Sequence, residues 1–411
     1  LKNKLSLIFV LTTVAIDSIG IGIIIPVMPD LIREVSGGSL ADAAVWAGVL
    51  TASYSFMQFL CSPTVGSLSD RFGRRPVLLI SLLFMSIDYL IMGIAHTVFL
   101  LLLGRILGGI TASTPATVGA YIADISQPEE KAKNFGLIGA AFGVGFVLGP
   151  LLGAVFAEFG TRAPFFAAAF IAFINLLFGY FVLPETVTDK IRRKFEWKRA
   201  NPVGGLLYLA QLPNLKLLII IYFIFQLAFT VYPVLFSFFT VERFGWDPKL
   251  IGISLAGYGI LIAIVQGGLI RIVLNYLTER QTMLVGFIFE IIGFIGYGFI
   301  DKTWMVFALM PIGSLGSLAI PAHQGLMSRM VGVDQQGELQ GILTSLTSLV
   351  YIISPLVMTG LFYVFINPDF PIYLPGAPFL FSALIGIVCF ILVYRLKETL
   401  YRQSGRKNLR A

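Results

Sequence analysis

Residues 66–76 read Gly66-Ser-Leu-Ser-Asp70-Arg71-Phe-Gly73-Arg74-Arg75-Pro76, and they separate two apolar runs at 44–66 and 77–95. Each run is long enough for a helix to cross a bilayer, which takes roughly 20 apolar residues. The stretch between them therefore reads as the turn of a membrane hairpin. Gly66 permits close helix approach, and Gly73 permits a backbone turn with positive φ. Pro76 suits the first turn of the helix that follows. Asp70 can pair with Arg74 or face a helix amino terminus. The three arginines place this turn on the cytoplasmic side.

The same pattern extends in both directions. Of 411 residues, 57% are apolar and only 12% are charged, and mean hydropathy is +0.88. Such a chain is neither water-soluble nor disordered. Hydropathy predicts twelve spans, at 5–29, 44–66, 77–95, 98–122, 134–158, 164–183, 215–240, 249–270, 282–300, 303–327, 339–362 and 376–396. The first is not read as a cleaved signal peptide, because it is long and carries Asp17 in its middle. Most of the 29 Lys and Arg residues fall in the segments that are cytoplasmic if both termini are inside. The net charge of +7 is thus a matter of orientation, and nucleic acid is not expected as a partner. Two cysteines, Cys61 and Cys389, and two histidines, His96 and His323, are too few and too scattered for a metal site.

The longest connection, 184–214, holds Lys190, Arg192, Arg193, Lys194, Lys198 and Arg199 and divides six spans from six. It reads as a basic linker near anionic headgroups. The expected organisation is a six-helix bundle over 1–183, the linker over 184–214, and a second bundle with a basic tail over 215–411. A faint repeat at an offset near 205 relates the halves: Tyr54 to Tyr258, Arg75 to Arg280, Pro150 to Pro355. The fold class is therefore an all-α membrane protein of two pseudo-symmetric six-helix bundles, an architecture of secondary transporters.

Four ionisable residues fall inside spans: Asp17, Asp88, Arg105 and Glu290. At the bilayer centre such groups are costly, so they face a cavity, pair with one another or move protons. Asp88 reads either as a structural partner of Arg105 or as a cavity residue. Glu290 reads as a buried polar plug or as an acid that cycles a proton, since no Lys, Arg or His lies between Thr282 and Ile300. Asp17 is the second candidate for proton coupling, or a helix-kink carboxylate beside Gly20 and Gly22. Tyr54, Gln58, Gln226, Gln266, His323 and Gln324 are the polar candidates for a substrate cavity, though each also fits an interhelical hydrogen bond. Span five carries Gly145, Gly149, Pro150 and Gly153, a spacing that lets helix backbones touch.

The 66–76 stretch resembles the signature G-x-L-x-D-R-x-G-R-R-P/K of the major facilitator superfamily. That resemblance implies the superfamily's fold and a conformational latch formed by Gly66, Asp70, Arg71, Gly73, Arg74 and Arg75. The counterpart at 271–281 keeps Glu279 and Arg280 but lacks the Gly-Asp pattern, so a second latch is expected to be degraded or absent. Gly145-x-x-x-Gly149-Pro150-x-x-Gly153 resembles the superfamily's antiporter motif, and Arg105-x-x-x-Gly109 its span-four arginine. Within the superfamily the chain is similar to the tetracycline/proton antiporters of bacteria. The likeness runs through Asp17-x-x-Gly20-x-Gly22, Tyr54, Gln58, Asp88, Gln226, Arg243-Phe-Gly-Trp246, Gln266, Pro321, Gln324 and Leu339-Gln-Gly341. It implies that Asp17, Asp88 and Glu290 handle substrate and protons. Two positions depart from the group: a glutamate stands at 290 in place of aspartate, and Ile262 in place of a span-eight histidine.

The expected function is proton-coupled export of amphiphilic small molecules or drugs by alternating access, with spans one, four, seven and ten around the cavity. The alternative is a metabolite carrier on the same scaffold. Neither a catalytic set nor a nucleotide-binding loop is present in the sequence, so enzymatic activity, a cofactor and ATP drive are not expected. A monomer in the bacterial inner membrane, driven by the proton gradient, is the simplest form.

Overall fold

The computed structural model describes residues 2–112, 114–126, 131–187, 215–331 and 336–396. Most of the linker, with Lys190, Arg192, Arg193, Lys194, Lys198 and Arg199, lies outside the described residues, as does the tail 397–411. Among the described residues the chain is helical, with no strand. Among the described residues, eleven helical segments are long and apolar enough to cross a membrane. A shorter one, Val98–Thr111, holds the fourth place and is followed by the helix Thr114–Ile125.

Several segments run past the ends that hydropathy sets. Span one continues to Ser36 through a 3-10 turn at Ile25–Val27, where Pro26 removes a backbone donor. Span two runs from Leu40 to Phe72, so Gly66, Asp70 and Arg71 are helical and the turn itself is Gly73. Polar residues extend these helices because backbone hydrogen bonding continues beyond the apolar stretch. Ser39 opens span two as a capping box with Asp42, satisfying two amides of its first turn. Thr278 and Gln281 do the same for the helix Glu279–Phe299.

The chain divides into two compact units: Leu1–Pro202 with Thr240–Gly259, and Val203–Phe239 with Ile260–Ala411. In the first, span one packs along span five, span two along span four, and span three along span six. Phe9, Val10, Leu78, Tyr121 and Ile122 are its fully buried apolar centre. In the second, span nine packs against spans ten and twelve, and span seven against spans eleven and twelve. Its core gathers Ile221, Phe225, Phe287, Met327, Ile342 and Cys389. Bulky residues such as Phe99, Phe170, Phe181 and Leu384 face outward, the exposure expected of surfaces that meet lipid tails.

Candidate functional site

The 66–76 turn is built around one carboxylate that sequence reasoning missed. Gly73 adopts φ 114°, a conformation that favours glycine. Glu185, just after span six, accepts from the backbone amides of Arg74 at 2.9 Å and Arg75 at 3.2 Å. It thereby satisfies donors that the start of span three leaves open. A Cβ on residue 73 would overlap the Glu185 carboxyl. Arg74 pairs with Asp70 and with Asp124 at 3.3 Å, and Arg75 donates to the Tyr180 carbonyl at 2.7 Å. Arg71 lies over the Phe72 ring and is exposed. The space beside Gly66 is open, so the expected close helix approach does not occur there.

The span-five glycines make that approach instead. A Cβ on Gly149 would lie 2.7 Å from the Gly22 Cα, and one on Gly145 would be 2.6 Å from the Ser18 Cβ. A Cβ on Gly153 would collide with the Ile23 carbonyl. Pro150 adds its ring to the contact, 2.8 Å from where a Gly22 Cβ would be.

Asp88 on span three forms an ion pair with Arg105 on span four, and its side chain is 3% exposed. Gly108 and Gly104 make room for this carboxylate, since Cβ atoms there would lie 2.7 and 3.0 Å from its oxygens. The Arg105 guanidinium is 5.3 Å from the centre of the Tyr54 ring, a cation–π distance. Tyr54, Asp88 and Arg105 thus form one polar cluster inside the first unit. Tyr89 places its hydroxyl beside Gly20 on span one, and Asp17 on the same span keeps a buried carboxylate oxygen. Gln58 donates to the Ala112 carbonyl at 3.1 Å, where span four is broken.

Glu290 is in the other unit and has a different environment. It is 0% exposed, and no cation pairs with it among the described residues. Its carboxyl is set against Gly316 of span ten. The Tyr232 hydroxyl lies one turn away, 3.4 Å from where a Gly293 Cβ would be, and neither carboxylate oxygen completes a hydrogen bond. His323 is buried and bonded to the Leu218 carbonyl at 3.0 Å, with its ring edge-on to Tyr222. Gln226 keeps a buried side-chain oxygen, and Gln324 is half-buried. Gln266 is exposed in a π-helical turn, Val265–Leu269, that follows Ile262; such turns often mark functional positions.

The segment at 271–281 retains more than its sequence suggested. Glu279 pairs with Arg329 at 2.7 Å, and Arg280 donates to the Val393 and Tyr394 carbonyls at 3.1 and 2.5 Å. Glu279, Arg280 and Arg329 stand 205 positions after Arg74, Arg75 and Asp124. At the same offset, Met310 occupies the place of Arg105. Asp124, Glu185, Tyr232 and Arg329 were not singled out from sequence; carrying the repeat offset through span four would have reached Arg329.

The family model described as Major Facilitator Superfamily matches residues 10–355 and 218–410. A tetracycline resistance protein, class C, of Escherichia coli is 41% identical over 362 residues, 88% of this chain and 91% of that protein. Multidrug resistance protein 2 of Bacillus subtilis (strain 168) is 31% identical over 397 residues, 94% of each chain. Among solved structures, a bacterial homolog of the human lysosomal transporter Spinster has a TM-score of 0.76 at 15% identity, covering 98% of this chain and 97% of that one. The glycine turn, the span-five backbone contacts and these matches agree: the chain belongs to the Major Facilitator Superfamily.

Proposed function

We propose that this protein exports amphiphilic drugs or drug-like molecules in exchange for protons, by alternating access. The observation that carries the reading is the contrast between its two most buried intramembrane acids. Asp88 is neutralised by Arg105, whereas Glu290 is fully buried with no cationic partner among the described residues. A buried carboxylate without a countercharge favours its neutral form, and water access restores the charge. Proton occupancy of Glu290 then depends on conformation, and by linkage conformation depends on proton supply.

In this reading Asp17 assists Glu290, and Tyr54, Gln58, Asp88, Arg105, Gln226, Gln266, His323 and Gln324 belong to the substrate path. Gly66, Asp70, Arg71, Gly73, Arg74 and Arg75 form the conformational latch, while Gly145, Gly149, Pro150 and Gly153 form the antiporter seam. The six-helix bundles comprise 1–183 and 215–411, joined by 184–214. The protein works as a monomer in the bacterial inner membrane with both termini cytoplasmic, and it moves its cargo unchanged. Relatives named for tetracycline resistance make tetracyclines the first cargo to test, although Ile262 replaces a histidine of that group.

The test is transport in proteoliposomes with an imposed pH gradient, using tetracycline and ethidium as cargoes. Glu290→Gln mimics the protonated acid. It is expected to abolish gradient-driven accumulation while leaving cargo binding that no longer varies with pH. Normal gradient-driven transport by this variant would refute the coupling role of Glu290.

A further inference from the structure

Glu290 occupies a seat made by missing side chains. Span nine meets span ten through small residues: a Cβ on Gly286 would lie 2.7 Å from the Ala319 nitrogen, and one on Gly293 would be 3.5 Å from the Gly313 Cα. Between these contacts, the Glu290 carboxyl fills the space that a side chain at Gly316 would take. Span seven closes the seat with Tyr232. Its hydroxyl lies 3.4 Å from where a Gly293 Cβ would be, one turn along from Glu290. Four rings hold the phenol in place: Phe294 stacked at 5.3 Å, Phe229 and Tyr297 each edge-on at 5.7 Å, and Phe379 at 5.8 Å. The rotation that would turn the hydroxyl away is thus sterically opposed.

The other titratable groups on the packed elements are engaged elsewhere. Tyr297, on the same helix, donates to the Val306 carbonyl at 3.4 Å. On span ten, His323 bonds the Leu218 carbonyl and Arg329 pairs with Glu279. On span twelve, Cys389 points to the Ile221 carbonyl. The Tyr232 hydroxyl, set at the Gly293 end of the seat, is the donor that span seven brings to it.

We infer that Tyr232 is the positioning residue for the coupled proton: its hydroxyl donates to the Glu290 carboxylate when that group is ionised, and so sets the pH at which the proton is released. This rests on Glu290 carrying the proton, as proposed above. Tyr232 keeps its own proton throughout; the exchanged proton passes between the Glu290 carboxyl and water.

The full chain in liposomes tests this without any cargo, by infrared titration of the carboxylic C=O band that disappears in Glu290→Gln. Tyr232→Phe removes the donor and is expected to move the titration midpoint to higher pH by about one unit, a tenfold change in proton affinity. Replacing Tyr232 with 3-fluorotyrosine, a stronger donor of nearly the same shape, is expected to move it to lower pH. Tyr297→Phe should leave it in place. Unchanged midpoints in both Tyr232 variants would overturn the inference. Should Tyr232→Phe fail to fold, the 3-fluorotyrosine protein decides alone, and a midpoint that does not fall overturns it. Gradient-driven transport is measured in parallel, so the two readings fail separately. Transport by Glu290→Gln refutes the coupling role, whereas its loss alongside unmoved Tyr232 midpoints refutes only the positioning role.

Discussion

Glu279 and Arg329 form an ion pair at 2.7 Å, and each stands 205 residues after a member of the Arg74–Asp124 pair, with the charges exchanged. The neighbouring arginines follow suit. Arg75 binds a carbonyl at the end of span six, and Arg280 binds carbonyls at the end of span twelve. The repeat therefore survives as a set of contacts after the identity of its residues has drifted. An ion pair depends on opposite signs at a given separation and is indifferent to which partner carries which.

Exchange should therefore be tolerated where single reversal is not. Glu279→Arg and Arg329→Glu are each expected to lower the melting temperature of the purified protein, and the double variant is expected to recover most of the loss. Arg329 is largely exposed, so the coupling energy should be modest, about 0.5–1 kcal/mol. Additive losses in the double variant would contradict the pairing.

The span-five seam predicts a sharp contrast between glycines. Gly149→Val forces a side chain into span one, where the Gly22 Cα would lie 2.7 Å from the new Cβ. It should destabilise the protein by about 1–3 kcal/mol and abolish transport. Gly139→Val meets open space and should melt and transport like the parent. Equal behaviour of the two variants, measured by thermal unfolding and uptake, would show that the seam is not formed.

Removing the charge of Asp88 strands Arg105. Asp88→Asn leaves a largely buried guanidinium without its countercharge, a change that typically costs about 3–5 kcal/mol. The expected result is poor expression or a strongly lowered melting temperature. Glu290→Gln should instead melt no lower than the parent, because no buried cation loses a partner. The two melting curves separate an acid held in an ion pair from one with no cationic partner among the described residues.

Glu185 should matter to the latch although it lies outside the signature. Glu185→Ala removes the acceptor for two backbone amides of span three and is expected to cost about 1 kcal/mol, as loss of a helix cap does. Gly73→Ala should cost more, since it combines a positive φ with overlap onto the Glu185 carboxyl. Cysteine accessibility of residues 70–76 should rise in both variants. Unchanged accessibility would remove Glu185 from the latch.

Much of this protein was legible in its sequence because a bilayer enforces strong local rules. Apolar length marks each span, basic residues mark one side, and a glycine between two long helices marks a turn. Asp17, Asp88, Arg105 and Glu290 stood out because a charge within a span is costly enough to be rare. Tertiary structure decided what each group meets. Sequence alone left Asp88 either paired with Arg105 or open to a cavity; the structure pairs them, because Gly104 and Gly108 let the carboxylate reach across. Seam-forming glycines differ from others only by what stands opposite, so Gly145, Gly149 and Gly153 touch span one while a Cβ at Gly66 or Gly139 would meet open space. Tyr232 and Glu290 are 58 residues apart, and nothing in local pattern joins a tyrosine of span seven to an acid of span nine. Helix packing brings them together, since contact between distant segments is set by the shapes of whole helix faces and not by any residue's own preference.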